Sequence, residues 1–208
     1  LMSKQILAID LDGIIINSLK NMKIAWESTS KSYCLNISFK AYKKYLGLPF
    51  KEILKKNGVY YNHKNISKYY NKISLKNFNV IKVYKNVIET LNILKKSYLI
   101  VIITSKNRFR AKKILKLKKI PYDDLVTPDD VLRGKPYNDS ILYIKKKYLV
   151  KNNAIVYVGD LGIDYKFAKN SKIKFIFANW GYGKPIGKFT VTKPKGLVKM
   201  VSNLLKYN

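Results

Sequence analysis

Five short apolar runs constrain this chain more than any other feature of its sequence. QILAID (5–10), YLIVIIT (98–104), LVT (125–127), AIVYVGD (154–160) and IKFIFAN (173–179) are apolar at consecutive rather than alternate positions. Strands covered on both faces, as central strands of a parallel sheet are, carry this pattern. Ahead of the second run and between the later ones the spacing of apolar residues turns helical, over 85–96, 108–118, 139–148 and 161–170. Strands alternating with helices predict an α/β fold, a parallel sheet with helices on both faces. At 208 residues and 47% hydrophobic composition, the chain suits one domain, or a domain with a modest insertion.

That insertion is visible between the first two runs. From Ser18 to about Asn79, the stretches AWESTSKSY, SFKAYKKYLG, PFKEILKKNG and ISKYYNKISLKNF have helix-like spacing, with Gly47 and Gly58 as stops. No strand is evident there. Residues 17–80 are therefore expected to form a helical insert, and residues 1–16 and 81–208 the α/β core. The tail GYGKPIGKFTVTKPKG is rich in Gly and Lys but has neither GxGxxG spacing nor a Gly-Lys-Ser/Thr ending, and it reads as a loop.

Ligands of parallel sheets bind beyond the carboxyl ends of the strands, so the residues that follow each run carry the functional reading. The first run leads into Asp10 and Asp12, one residue apart in a chain with only twelve acidic residues. Close carboxylates repel, and burying either without a partner is costly. The second run ends in Thr104 and Ser105. The loop after the third, TPDDVLRGKP, contains Lys135, and the fourth ends in GDLGID, with Asp160 and Asp164. A divalent cation offsets the repulsion, and Mg2+ favours a few carboxylates together with water and phosphate oxygens. One aspartate can then attack phosphorus; a second, two residues on, can protonate the departing oxygen and later deprotonate water. A threonine hydroxyl and a lysine ammonium can hold the phosphoryl oxygens. Singly, each residue could instead be a loop cap, a strand-end hydroxyl, a surface lysine or a helix N-cap. Four such sites at one sheet edge point to phosphoryl transfer.

Composition narrows the partners. The net charge of +30 invites a polyanion reading. Yet only three of the 42 basic residues are arginine (Arg108, Arg110 and Arg133), the type favoured for bidentate phosphate and base contacts, and the lysines are spread along the whole chain. Both points argue against a nucleic-acid partner. With one cysteine, Cys34, and one histidine, His63, the sequence supplies neither an intrachain disulfide nor a Cys/His zinc site. The two are expected to be a small packed thiol and a surface or capping imidazole. The longest strongly apolar run, 99–103, is far short of a membrane span, and the first breaks at Asp10, too early for a signal peptide. The expectation is a soluble cytoplasmic protein, monomer or homodimer.

In order along the chain, IDLDGIIINS resembles the first motif of the haloacid dehalogenase superfamily of phosphatases, VIITSK the second, RGKPYNDSI the third and VYVGDLGID the fourth. The resemblance implies a Rossmann-like α/β core with the first strand central and a small inserted α-helical cap. It implies Asp10 as nucleophile and Asp12 as acid/base. Mg2+ would be held by the Asp10 carboxylate, the Asp12 backbone carbonyl and Asp160, with Asp164 acting directly or through water. Thr104 and Lys135 would hold the phosphoryl group, with Ser105 beside them. LGLPFKEIL (46–54) is similar to the cap turn of the phosphoglycolate phosphatase-like branch, and ANWGYG (178–183) to its post-motif strand end. Such a cap closes over the site and touches the non-phosphate part of the substrate. Lys51, Tyr60, Tyr61, Tyr69 and Tyr70 are candidates for that contact, with cap packing and a solvated lysine as the alternative. Ile14 stands where the family usually has Thr or Val and is expected to pack; Asn17 stands where many relatives have Asp. Phe50 stands where sugar-phosphate mutases carry an arginine. The resemblance thus implies a Mg2+-dependent phosphatase acting on a small phosphorylated metabolite through an aspartyl phosphate. Its alternatives are a phosphatase of nucleic-acid ends, a sugar-phosphate mutase, and a non-catalytic binding protein of the same fold.

Overall fold

Ile6, Leu7, Ala8 and Ile9 have no exposed surface in the computed structural model, which describes residues 5–206. They form β1 (Ile6–Ile9), at the centre of a six-stranded parallel sheet. The chain then turns into β2 (Ile16–Asn17), which pairs antiparallel with β3 (Lys82–Val83). This two-stranded ribbon is where the chain leaves the core and comes back. Between its strands lie α1 (Leu19–Ser32), α2 (Phe39–Lys43), α3 (Phe50–Lys56) and α4 (His63–Lys76). The rest alternates as far as β7, which β8 follows directly: α5 (Val87–Lys95), β4 (Leu99–Ile103), α6 (Arg108–Leu117), β5 (Asp124–Val126), α7 (Asp139–Tyr148), β6 (Ile155–Gly159), α8 (Gly162–Asn170), β7 (Lys174–Ala178), β8 (Phe189–Val191) and α9 (Gly196–Lys206).

The strand order is β5-β4-β1-β6-β7-β8. The chain builds outward from β1 in both directions, so the crevice at which a parallel sheet binds ligands lies at the carboxyl end of β1. Alternate residues of each strand feed two apolar clusters, as the two-residue period of a strand requires. Leu7, Ile9, Ile100, Ile102, Val156 and Val158 pack under α5, α6 and α9; Ile6, Ala8, Val101, Ile103, Ile155 and Tyr157 pack under α7 and α8. The inserted helices have a third cluster of their own, including Met22, Trp26, Tyr42, Leu54, Ile66 and Tyr70. Trp26 stacks on Tyr42 with ring centroids 4.6 Å apart, and its indole N–H donates to the Ile37 carbonyl at 3.0 Å.

Three expectations change. The sheet has six strands rather than five, because Phe189–Val191, inside the tail read as a loop, pairs with β7 as an edge strand. The same tail leads into α9, whose Leu197, Val201, Leu204 and Leu205 recur at helical spacing and are buried. Cys34 is exposed in a left-handed turn (φ 49°) after α1, not packed. Ile14 packs as expected, fully buried, while the His63 ring sits 2.8 Å from the Val59 carbonyl at the start of α4.

Candidate active site

The parallel register brings three strand ends level. Ile9 pairs with Ile102 on one side and Val158 on the other, so Asp10, Thr104 and Asp160 leave the sheet at one edge, all buried. The Asp10 amide donates to the Val158 carbonyl at 3.0 Å, which fixes its backbone as a continuation of β1. The chain then turns at once, the amides of Ile15 and Ile16 both donating to the Leu11 carbonyl at 3.0 Å. Gly13 permits this turn: its φ is +88°, and a Cβ there would lie 2.3 Å from Asp160 Oδ2.

Lys135 ties the acids together. Its ammonium lies 3.0 Å from Asp10 Oδ1 and 2.8 Å from Asp164 Oδ1, and it donates to the Tyr157 hydroxyl at 2.9 Å. Burial works against its charge, but Asp10 and Asp164 outweigh burial and raise its pKa, so it stays an ammonium. Asp164 is fully engaged. Its Oδ1 accepts from Lys135 and from the Tyr157 hydroxyl at 2.9 Å; its Oδ2 accepts from the amides of Asp160 at 3.2 Å and Leu161 at 3.0 Å.

Asp160 is held on one side only. The Tyr182 amide donates to its Oδ2, while its buried Oδ1 has no partner. Burial, then the Asp164 charge, push Asp160 up to about 8. Burial likewise pushes Asp10 up to about 7, against the opposing pull of Lys135. Carboxylate oxygens of Asp10, Asp160 and Asp164 lie within 4.8 Å of one another. Buried oxygens without donors are costly, and a hard divalent cation is the group whose charge and oxygen preference this set fits.

Asp12 is held differently. Its Oδ1 accepts from the Ser18 hydroxyl and lies 3.1 Å from Lys106 Nζ. Tyr182 touches both acid positions, because its hydroxyl accepts from the Ser18 amide at 2.8 Å while its own amide serves Asp160. Thr104 Oγ1 accepts from the Lys106 amide at 3.1 Å, just ahead of α6, whose first amides are taken by Asp129 and by the Asn107 cap. Between this edge and the inserted helices lies a cavity of about 330 Å³. Asp10, Asp12, Thr104 and Lys135 line its lower side, and Tyr42, Phe50 and Tyr70 its cap side. The cap turn is fastened to the core: the Ser105 hydroxyl donates to the Gly47 carbonyl at 2.5 Å, and Gly134 approaches Pro49 so closely that a Cβ would meet its ring at 2.7 Å.

The profile of the haloacid dehalogenase-like hydrolase family matches residues 7–178. The chain belongs to this family. It is 28% identical over 207 residues to a protein of Aquifex aeolicus (strain VF5) named phosphoglycolate phosphatase, a match covering 96% of this chain and 97% of that one. Among solved structures, it is similar to a hydrolase from Pseudomonas syringae, with a TM-score of 0.83, 21% identity, and 96% and 99% of the two chains covered. A haloacid dehalogenase-like family protein from Streptococcus pneumoniae gives a TM-score of 0.81 at 18% identity, with 97% and 100% covered. Both likenesses are of the fold over nearly the whole of each chain. A haloacid dehalogenase-like hydrolase is an enzyme, and the expected class, a phosphoric monoester hydrolase, agrees with the family and with the name of the Aquifex relative. Among the described residues, no helix is long and apolar enough to cross a membrane.

In this haloacid dehalogenase-like hydrolase, Asp10, Asp12, Thr104, Lys135, Asp160 and Asp164 meet at one edge. Ser105 lies beside them, with its hydroxyl given to the cap turn. Lys51, in the first turn of α3, lines the cavity, and so does Tyr70. Tyr60 and Tyr61 are 73% and 61% exposed on the outside of the cap, and Tyr69 packs edge-on against Tyr33 at 5.8 Å. Sequence reading did not single out Lys106, Ser18, Tyr157 or Tyr182. Lys106 stood two residues after Thr104 and could have been found; Ser18, Tyr157 and Tyr182 lie inside the motif stretches, but their partners in the site come from distant segments.

Proposed function

We propose that the protein is a Mg2+-dependent phosphatase of a small phosphomonoester, working through a phosphoryl group carried on Asp10. The observation that carries this reading is the buried Asp10–Lys135–Asp164 ion triplet beside the unpartnered Asp160 Oδ1, next to a cavity lined on one side by the inserted helices. Residues 17–80 act as the cap, over a core of residues 1–16 and 81–208. Asp10, the Asp12 carbonyl and Asp160 would hold the ion. Asp164, with both oxygens already bonded, would reach it through water. Bound there, Mg2+ would offset the carboxylates' repulsion and draw charge from the phosphoryl oxygens.

The rest is the work of side chains. An Asp10 oxygen forms a bond to phosphorus as the bond to the leaving oxygen breaks. Asp12 gives that oxygen a proton, then takes one from the water that attacks the phosphoaspartate, which frees phosphate and restores the Asp10 carboxylate. Ser18 and Lys106 hold Asp12 in place for both transfers. Thr104 Oγ1 already accepts a bond from the Lys106 amide, so its own proton is free for a phosphoryl oxygen, and the Lys135 charge serves another. A cavity of about 330 Å³ suits a small metabolite, and the inserted helices line its side opposite Asp10. The name of the Aquifex relative makes 2-phosphoglycolate the first substrate to try. A cytoplasmic location is part of this reading, on the single-cysteine composition.

A panel of phosphomonoesters including 2-phosphoglycolate, assayed with Mg2+ and with chelator, tests the reading. Phosphate release should need the metal, and Asp10→Asn should lower kcat by on the order of 10^3 or more. Turnover that survives the chelator or this substitution overturns it.

A further inference from the structure

Three basic side chains are buried among the described residues: Lys106, Arg110 and Lys135. Lys106 is paired with Asp12, and Lys135 with Asp10 and Asp164. Arg110, 5% exposed in the first turn of α6, has no carboxylate within ion-pair distance among the described residues. Its partners are neutral. Nη1 donates to Asn71 Oδ1 at 3.1 Å, Nη2 donates to Ser74 Oγ at 2.7 Å, and the guanidinium lies 5.1 Å from the centre of the Tyr70 ring. Nε is buried with no partner at all. A guanidinium carries five N–H donors, and burying its charge without a counter-charge is costly.

Arg110 lines the same cavity as Asp10, Thr104 and Lys135, but it is gripped by the cap helix α4 rather than by the loops that follow the strands. The phosphoryl end of a substrate already has Lys135 and Thr104. We infer that Arg110 recognises a second anionic group, a carboxylate or a second phosphate, on the leaving-group side of the phosphomonoester. This deepens the phosphatase reading and rests on it. The missing counter-charge arrives with the substrate, and arginine suits the task because its planar fork takes a carboxylate or phosphate through two parallel bonds. Asn71, Ser74 and the Tyr70 ring hold that fork in one orientation, and the Tyr70 hydroxyl is itself fixed against the Tyr42 hydroxyl at 3.1 Å. A mere latch between α6 and α4 would instead affect stability and leave substrate preference alone.

The test compares kcat/KM within matched pairs. One pair is 2-phosphoglycolate and 2-hydroxyethyl phosphate, in which the carboxylate becomes a neutral alcohol; the other is glucose 1,6-bisphosphate and glucose 1-phosphate. Wild-type protein should favour the anionic member of one pair by about tenfold or more, and Arg110→Gln should bring that ratio toward one, whatever happens to absolute rate or Tm. Arg110→Lys keeps a charge without the fork, should lose at least about threefold of the ratio, and decides the matter if Arg110→Gln does not fold. A wild-type preference below about threefold in both pairs overturns the assignment, as does a ratio left unchanged in the folded variant. Failure of the phosphatase reading looks different: no member of either pair is turned over, or turnover survives Asp10→Asn.

Discussion

Asp160 and Asp164 stand four residues apart and are both fully buried, yet their surroundings give them different work. Asp164 accepts four hydrogen bonds; Asp160 keeps Oδ1 empty-handed. Asp160→Asn should therefore raise the Mg2+ concentration for half-maximal activity far more than Asp164→Asn does. Asp164→Asn should show instead as lost stability, about 3–5 kcal/mol if Lys135 is left with a broken ion pair. Comparable metal dependence in the two variants would count against this division. Burial sets the pH response of the same carboxylates. Asp10 at about 7 and Asp160 at about 8 both lie above the ordinary 3.8. Between about pH 4 and 8 the metal-free folded chain thus binds more protons than the unfolded chain, and the stability these groups contribute falls as pH rises through that window. A cation binds the ionised carboxylates, so its stabilisation grows over the same window. The gain in Tm from saturating Mg2+ should be larger near pH 8 than near pH 6. An equal gain at both would remove these acids from the metal site.

Elements were legible in the sequence where burial alone shapes them. The apolar runs at 98–104, 154–160 and 173–179 each contain a strand, and the helix read at 139–148 has those bounds in the structure. The strand β8 escaped because an edge strand of three residues, only one of them buried, leaves no apolar run to read. Asp10, Thr104 and Asp160 were legible because each directly follows a strand, and Asp12 and Asp164 because they stand two and four residues further on. Tyr182 and Arg110 were not, because their place depends on a loop returning past β1 and on a side chain crossing from α6 to α4. The cap was legible as four helical stretches, and its buried apolar cluster is drawn from the inserted helices, with Leu161 and Tyr182 of the core packed against it. Trp26 is fully buried there against Tyr42. Trp26→Ala should cost about 3–5 kcal/mol, with the loss concentrated in the cap. Amide exchange should quicken across residues 19–76 while β1 and β6 stay protected, and KM should rise. Exchange that quickens equally in cap and sheet would show that the two share one cooperative core.

For the whole molecule, charge is the dominant quantity. The net charge is +30, and among the described residues only Lys106, Arg110 and Lys135 are buried basic side chains, so most of the positive charge lies at or near the surface. Four of the twelve acidic residues, Asp10, Asp12, Asp160 and Asp164, are gathered in the site, which leaves the remaining surface more strongly positive still. A field of that sign draws small phosphates toward the cavity and acts on encounter rather than on the bound complex. It is screened as the Debye length shrinks, to about 8 Å near physiological salt. Between low and moderate salt, kcat/KM for a small phosphomonoester should fall modestly while kcat stays nearly flat. The same surface will also attract nucleic acid, but attraction is not access. A cavity of about 330 Å³, roofed on one side by a cap turn bonded to Ser105 and packed on Gly134, matches the size of a metabolite rather than of a polymer backbone. Side by side at about 150 mM salt, 3′- or 5′-phosphorylated oligonucleotides should be poorer substrates than small phosphomonoesters. If the oligonucleotides are instead better by about tenfold, the lysines form a track for a polymer and the cap must open far wider than this cavity.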